Sequence, residues 1–166
     1  IEPHFMPSIP DEPASVLHAL RHPIQSPALR DVVEPSDTVA IVFCDITRPM
    51  PNAVVLPVVL DELRHVPRER IVLINATGTH RANTTEELEQ MLGPDVVRKY
   101  RIVNHDAFDK STQTRVGTVD GTTEVWLNSE FVRATKRILT GFIEPHFFAG
   151  FSGGPKMVAP GVAGID

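Results

Sequence analysis

One cysteine, Cys44, in a chain of 166 residues leaves no partner for an internal disulfide and no basis for a thiolate metal cage. Long hydrophobic runs are missing too. A bilayer crossing needs ~20 consecutive apolar residues. The longest candidates here, 54–60 and 138–143, are interrupted by Pro57, Thr140 and Gly141 and read as a buried helix and a buried strand. No membrane span is expected. Charge of one sign is not concentrated anywhere: 16 basic residues are scattered among 21 acidic ones, for a net charge of −5. Without a basic stripe, non-specific nucleic-acid binding is not expected. The N-terminus shows no basic-then-apolar leader with a small-residue cleavage site, which together with the lone cysteine points to a reducing, cytoplasmic setting. No repeat of solenoid period is present.

Apolar residues make up 42% of the chain and charged residues 22%, the balance of a soluble globular domain of ordinary size. Fifteen prolines fall near expected element ends, among them Pro23, Pro35, Pro49, Pro51, Pro94, Pro145 and Pro160. Pro3, Pro7, Pro10 and Pro13 suggest an extended arm over residues 1–36, relieved by a short helix over 14–21 whose stripe is Val16, Leu17 and Leu20. The rest, 37–166, reads as one α/β domain. The run VAIVFC at 39–44 is the pattern of a strand covered on both faces, followed by a turn over 45–51 and a helix over 52–65. A second cycle repeats it: IVLIN at 71–75, a polar turn over 76–83, and a helix capped by Thr84-Thr85-Glu86-Glu87 ahead of Leu88, Met91 and Leu92. Residues 100–104 form a candidate third strand. Residues 115–119 and 124–128 form a hairpin through Asp120-Gly121, Asn128 caps a short helix to Ala134, and a last strand runs over 137–143. The expected fold is α/β, with a Rossmann-like, mostly parallel sheet, flanking helices and a small hairpin. The pentapeptide Ile1-Glu2-Pro3-His4-Phe5 recurs at 143–147, which is put down to chance because the flanks differ.

In open α/β sheets, ligands bind beyond the carboxyl ends of the strands. Three such loops carry reactive groups: Asp45, Thr47 and Arg48; Thr77, Gly78, Thr79 and His80; and His146, Ser152, Gly153, Gly154 and Lys156. Arg48 reads either as a fork for a carboxylate or phosphate or as half of a surface ion pair. Asp45 reads either as a cap for the helix that follows or as a brace for Arg48. His80 and His146 stand after corresponding strands, and a pair of imidazoles can supply one base and one acid near neutrality. His4, His18, His22, His65 and His105 lack such placement and read as surface or packing residues.

The densest segment is His146-Phe-Phe-Ala-Gly-Phe-Ser-Gly-Gly-Pro-Lys156. Its glycines let backbone N–H groups approach an anion, and Lys156 brings a charge or a nucleophilic amine. It is not a P-loop, since Pro155 precedes the lysine and Met157 follows it. Phe147, Phe148 and Phe151 are expected to wall a pocket.

The set Asp45-x-Thr-Arg-Pro49, Gly78-Thr-His80 and Glu144-Pro-His-Phe-Phe-Ala-Gly-Phe-Ser-Gly-Gly-Pro-Lys156, followed by Pro160-Gly161, resembles the N-terminal domain of the lactate racemase family, nickel-pincer-nucleotide racemases and epimerases of 2-hydroxy acids. The likeness runs from about Val39 onward. It implies that Lys156 is joined covalently to a pyridinium-derived mononucleotide holding nickel, that His80 and His146 are two bases on opposite sides of a 2-hydroxy acid, and that Arg48 holds its carboxylate. Asp45, Thr47, Ser152, Gly153 and Gly154 would line the cofactor side. It implies no metal ligand inside this chain, because the family's nickel histidine and its C-terminal domain come later than Asp166. The chain is accordingly expected to be an inactive N-terminal portion, with Phe147, Phe148 and Phe151 exposed and prone to self-association. Two other readings of the residues stay open. One is a non-catalytic nucleotide- or phosphate-binding module, and the other an enzyme using Lys156 as a Schiff base.

Overall fold

The computed structural model describes residues 6–147 and 149–165. The first copy of the repeated pentapeptide, with His4, and also Phe148 lie outside the described residues. In chain order the elements are α1 (Glu12–Arg21), α2 (Leu29–Val32), β1 (Val39–Cys44), α3 (Asn52–Glu62), β2 (Ile71–Ala76), α4 (Thr85–Leu92), α5 (Pro94–Lys99), β3 (Arg101–Asn104), β4 (Gln113–Val119), β5 (Thr123–Asn128), α6 (Ser129–Arg133), β6 (Lys136–Leu139), β7 (Pro145–His146) and β8 (Gly150–Phe151). Among these helices none is long and apolar enough to cross a membrane.

β1, β2, β3 and β6 make a fully parallel sheet in the order β3-β2-β1-β6. Every residue of β1 is buried, as a β-branched run without polar alternation requires. Alternation of side chains then divides the core in two. Val39, Ile41 and Phe43 join Ile71 and Leu73 under the helices, against Leu56, Leu63, Leu88 and Leu92. Ala40, Val42 and Cys44 join Val72 and Ile74 on the other face, against Phe131, Met157 and Val162. β4 and β5 form the antiparallel hairpin, and β7 and β8 a second, very short one. The last strand of this sheet, β6, lies at its edge and is shorter than its apolar run suggested. It stops at Leu139, and Thr140 spends both its N–H and its hydroxyl on the Val42 carbonyl, which steers residues 140–144 off the sheet.

The sheet order places the site. From β1 the chain winds through α3 to β2 and through α4 and α5 to β3, then returns past β1 to lay down β6 on its other side. Winding direction therefore reverses at β1, and a crevice opens at the carboxyl ends of β1 and β6.

Residues 12–33, expected as part of an arm, are docked. Val33 is buried, and Leu20, Leu29 and Val32 pack on the core. The lock is Glu62 at the end of α3, fully buried and gripped by Arg21 and Arg30, which both reach its carboxylate oxygens. Hydrogen bonds from Arg30 first, and Arg21 second, hold that carboxyl from its ordinary 4.5 down to about 2. A depressed acid contributes its full stability above the unfolded-state value and loses it as pH falls through the folded one. The clasp should hold above pH 4.5 and open between there and about 2. Glu62→Ala is expected to cost about 1–2 kcal/mol at neutral pH, low for a buried pair because both guanidiniums keep contact with water. Limited proteolysis between α1 and α2 across an acid titration checks this, and parallel acid curves for wild type and Glu62→Gln would refute it.

Candidate functional site

β1 ends where Asp45 breaks the apolar run, and Pro49 and Pro51 then set up α3. Asn52, the first residue of α3, turns its amide onto the Cys44 carbonyl and ties the loop shut. β2 ends at Ala76, and Gly78 takes a left-handed backbone, φ 55°, that lets the chain double back. The loop over 77–83 rests on a polar layer: Asn75 donates to Asn83 and Asn104, and the Thr77 hydroxyl donates to the His105 carbonyl. Its far end is held by the expected capping box, Thr84 with Glu87, and Glu87 also receives Asn83 and Arg81.

Between these loops and the segment after β6 lies a cavity of about 90 Å³. Asp45, Thr47 and Arg48, Thr77 to His80, and Ser152, Gly153 and Lys156 all border it. Residues of all three loops thus border one cavity, but His146 and Gly154 are not among them. The Asp45 side chain borders the cavity but neither caps α3 nor pairs with the Arg48 side chain. α3 has no side-chain cap, and the Asp45 carboxylate instead accepts from the Thr47 hydroxyl at 2.7 Å and from His80 Nδ1 at 2.7 Å. A carboxylate can only accept, so Nδ1 of His80 carries the hydrogen and Nε2 is left to exchange a proton. Asp45 is 6% exposed and His80 53%, a buried anchor for an imidazole that faces outward. Arg48 contacts Glu144 instead, Nε to Oε1, at 3.5 Å.

Lys156 stands in a single 3-10 turn, 154–157, set up by two left-handed glycines, Gly153 at φ 68° and Gly154 at φ 47°. Gly153 also permits close approach, since a Cβ there would lie 3.0 Å from Ile143. Met157 anchors the turn by burying its side chain beside Cys44, sulfur to sulfur at 3.7 Å. Burial pushes the Cys44 thiol up, so it is a packing group. Val162 plugs the same core, and His105 and Asn128 hold the strap behind it through Ala163 and Val162. Burial lowers the His105 pKa, which keeps it a neutral structural imidazole. On its other side Lys156 borders a second, shallower groove of about 410 Å³ with Ile143, Ala149, Phe151 and Pro155. The amine therefore stands at the junction of a small polar cavity and an apolar groove.

His146 borders neither concavity. It lies on β7, stacked on Phe147 at 5.6 Å, with the Ala149 N–H directed to its Nδ1. Phe151 does line the groove, but Phe147 is 88% exposed and borders neither concavity. His18 and His22, four residues apart at the end of α1, stack at 4.3 Å. Among the described residues no group of three or more His, Cys, Asp or Glu side chains is arranged to hold a metal ion. The residues that sequence reasoning passed over are supports, Asn83, Asn104, Met157 and Val162, and Glu144 stood in a motif without a role of its own. A polar Asn75 closing an apolar strand was the one signal that hinted at the layer under the loop.

Comparison with known proteins agrees with this architecture. The lactate racemase of Thermoanaerobacterium thermosaccharolyticum is 37% identical over 152 residues, 91% of this chain and 36% of its own length. That of Lactiplantibacillus plantarum is 39% identical over 153 residues, 92% and 36%. The chain thus spans about a third of the length of these relatives. The solved structure of the T. thermosaccharolyticum lactate racemase apoprotein superposes with a TM-score of 0.86, covering 93% of this chain and 37% of that one. A Thermotoga maritima protein superposes at 0.77 with 26% identity, covering 96% and 40%. The profile of the lactate racemase N-terminal domain matches residues 1–166. With the family profile matching the whole length of the chain and the fold and sequence in agreement, the chain belongs to the lactate racemase N-terminal domain family.

Proposed function

We propose that the full-length protein interconverts the two enantiomers of a 2-hydroxy acid, with Lys156 as the covalent attachment point of a nickel-pincer nucleotide. The observation that carries this reading is the shared cavity. An imidazole oriented by a buried carboxylate, a guanidinium and an amine border one space large enough for a few heavy atoms.

The carbon-bound hydrogen of a hydroxy-carboxylate is too weak an acid for an imidazole alone to remove as a proton, so in this reading it leaves with its electrons. When bound, the cofactor would supply an acceptor for that hydride. The protein's own residues do the rest. His80 Nε2 takes the hydroxyl proton of one enantiomer, and the negative Asp45 carboxylate at Nδ1 stabilises the imidazolium that results. Arg48 holds the substrate carboxylate with parallel N–H donors. His146, which borders neither concavity, is assigned as the opposite base on the family resemblance, and the hairpin that carries it reaches the groove through Phe151.

The residues fit the cofactor. The glycine turn lifts Lys156 to the junction, and a groove of about 410 Å³ falls within the ~300–1,000 Å³ range of small-molecule sites. Ser152, Gly153 and Gly154 would flank it, with Asp45 and Thr47 across the cavity. The protein's nickel ligand would come from chain beyond residue 166, as would the C-terminal domain closing the cleft. Lactate is the first substrate to try, and larger 2-hydroxy acids share the same two recognised groups.

The test is the full-length protein made in cells that supply the cofactor. Expected are interconversion of D- and L-lactate, nickel in the purified protein, and a mass gain confined to the Lys156 peptide. An unmodified Lys156 with nucleotide still bound would point to a binding module. Borohydride trapping of Lys156 by a keto acid would point to a Schiff base.

A further inference from the structure

Arg48 and His146 come from opposite ends of the chain's site-forming segments, and one residue joins them. Glu144 reaches the Arg48 Nε at 3.5 Å, with the two side chains 27% and 39% exposed, so the contact is half-shielded from solvent. The Glu144 backbone is itself clamped. Its N–H donates to the Ser152 hydroxyl at 2.9 Å, and its carbonyl accepts the Ser152 N–H at 2.9 Å. Ser152 is buried and leads into the glycine turn of Lys156. Pro145 pairs with Phe151 and His146 with Gly150, so Glu144 begins the extended stretch that carries His146. A carboxylate with so rigid a base is a fixed point for a long, flexible arginine.

The contact uses Nε, on the side of the guanidinium. A carboxylate ligand grips best through two parallel N–H groups, and the approach of Glu144 is to Nε, on the side away from the end-on pair of Nη groups. We propose that Glu144 is a positioning residue. It holds Arg48 by the Nε edge so that the guanidinium presents its terminal edge to the carboxylate of a 2-hydroxy acid. The proposal rests on the functional reading above. It adds to it a residue that touches neither substrate nor cofactor, and it makes substrate affinity depend on a cluster that also carries His146.

The test is a double-mutant cycle on the full-length, cofactor-loaded protein, with lactate binding read by calorimetry and KM and kcat by racemisation. Glu144→Ala is expected to weaken lactate binding and raise KM about 5–10-fold, the range of one charge-assisted contact partly exposed to water, while kcat changes far less. Glu144→Gln, whose amide oxygen can stand where Oε1 stands beside Nε, should recover most of that loss. In an Arg48→Ala background Glu144→Ala should add nothing, because its route to substrate is gone. Equal weakening with and without Arg48, or no rescue by glutamine, would overturn the assignment, as would a fall in kcat that tracks lost modification of Lys156. Wild-type protein that binds no lactate at all would instead defeat the racemase reading.

Discussion

His80→Ala in the full-length, cofactor-loaded protein is expected to slow lactate interconversion by about 10²–10⁴-fold, the usual contribution of a positioned general base. Asp45→Asn should fall in the same range for a different reason. The Asp45 carboxylate fixes the hydrogen on Nδ1 of His80 and leaves Nε2 as acceptor. An asparagine can turn its NH₂ to the same atom, which forces the hydrogen to Nε2 and presents a donor where the mechanism needs an acceptor. Asparagine keeps the volume of the buried site, so Lys156 modification and lactate affinity should be little changed. The pair separates the loss of a base from the loss of its tautomer. Initial rates in both directions, with lactate binding measured alongside, check it. His146→Ala is expected to be comparably damaging if two bases work in turn, and full activity in either histidine variant would remove that residue from the mechanism.

Lys156→Arg should abolish both modification and racemisation. Arginine keeps the positive charge and much of the stem, and Met157 and Val162 still anchor the turn in the core, so the fold should survive. A guanidinium is not a usable nucleophile at neutral pH, so no covalent link can form. Intact mass, nickel content and racemisation should all drop to background while the thermal midpoint stays near that of the wild type. Racemisation that persists with arginine at this position would show that covalent attachment through Lys156 is not required. Retained nucleotide binding without racemisation in either protein would favour the module.

Much of the architecture was legible because burial has a period. An unbroken β-branched run such as 39–44 has no polar side to turn to water, so it can only be a central strand of a covered sheet. Thr84 and Glu87 announced the start of α4 because a helix leaves N–H groups that nearby side chains must satisfy. The strand over 137–143 was overdrawn, because Thr140 looks extended in sequence but is diverted by hydrogen bonds to Val42. The arm was misjudged for a related reason. Its prolines speak of local stiffness, whereas Arg21 and Arg30 find Glu62 across 41 and 32 residues of chain.

For the site, the residue types and their positions after the strands were enough to name Asp45, Arg48, His80 and Lys156 as neighbours. Local patterning decides which segments become strands, and the rule that ligands gather at their carboxyl ends supplies the rest. Which side chain meets which was settled only by folding. Asp45 pairs with His80 and Arg48 with Glu144 because the sheet order sets β2 and the segment after β6 on opposite sides of β1. Distances between groups 35 and 96 residues apart depend on strand register and loop paths, and no local stretch of sequence encodes them.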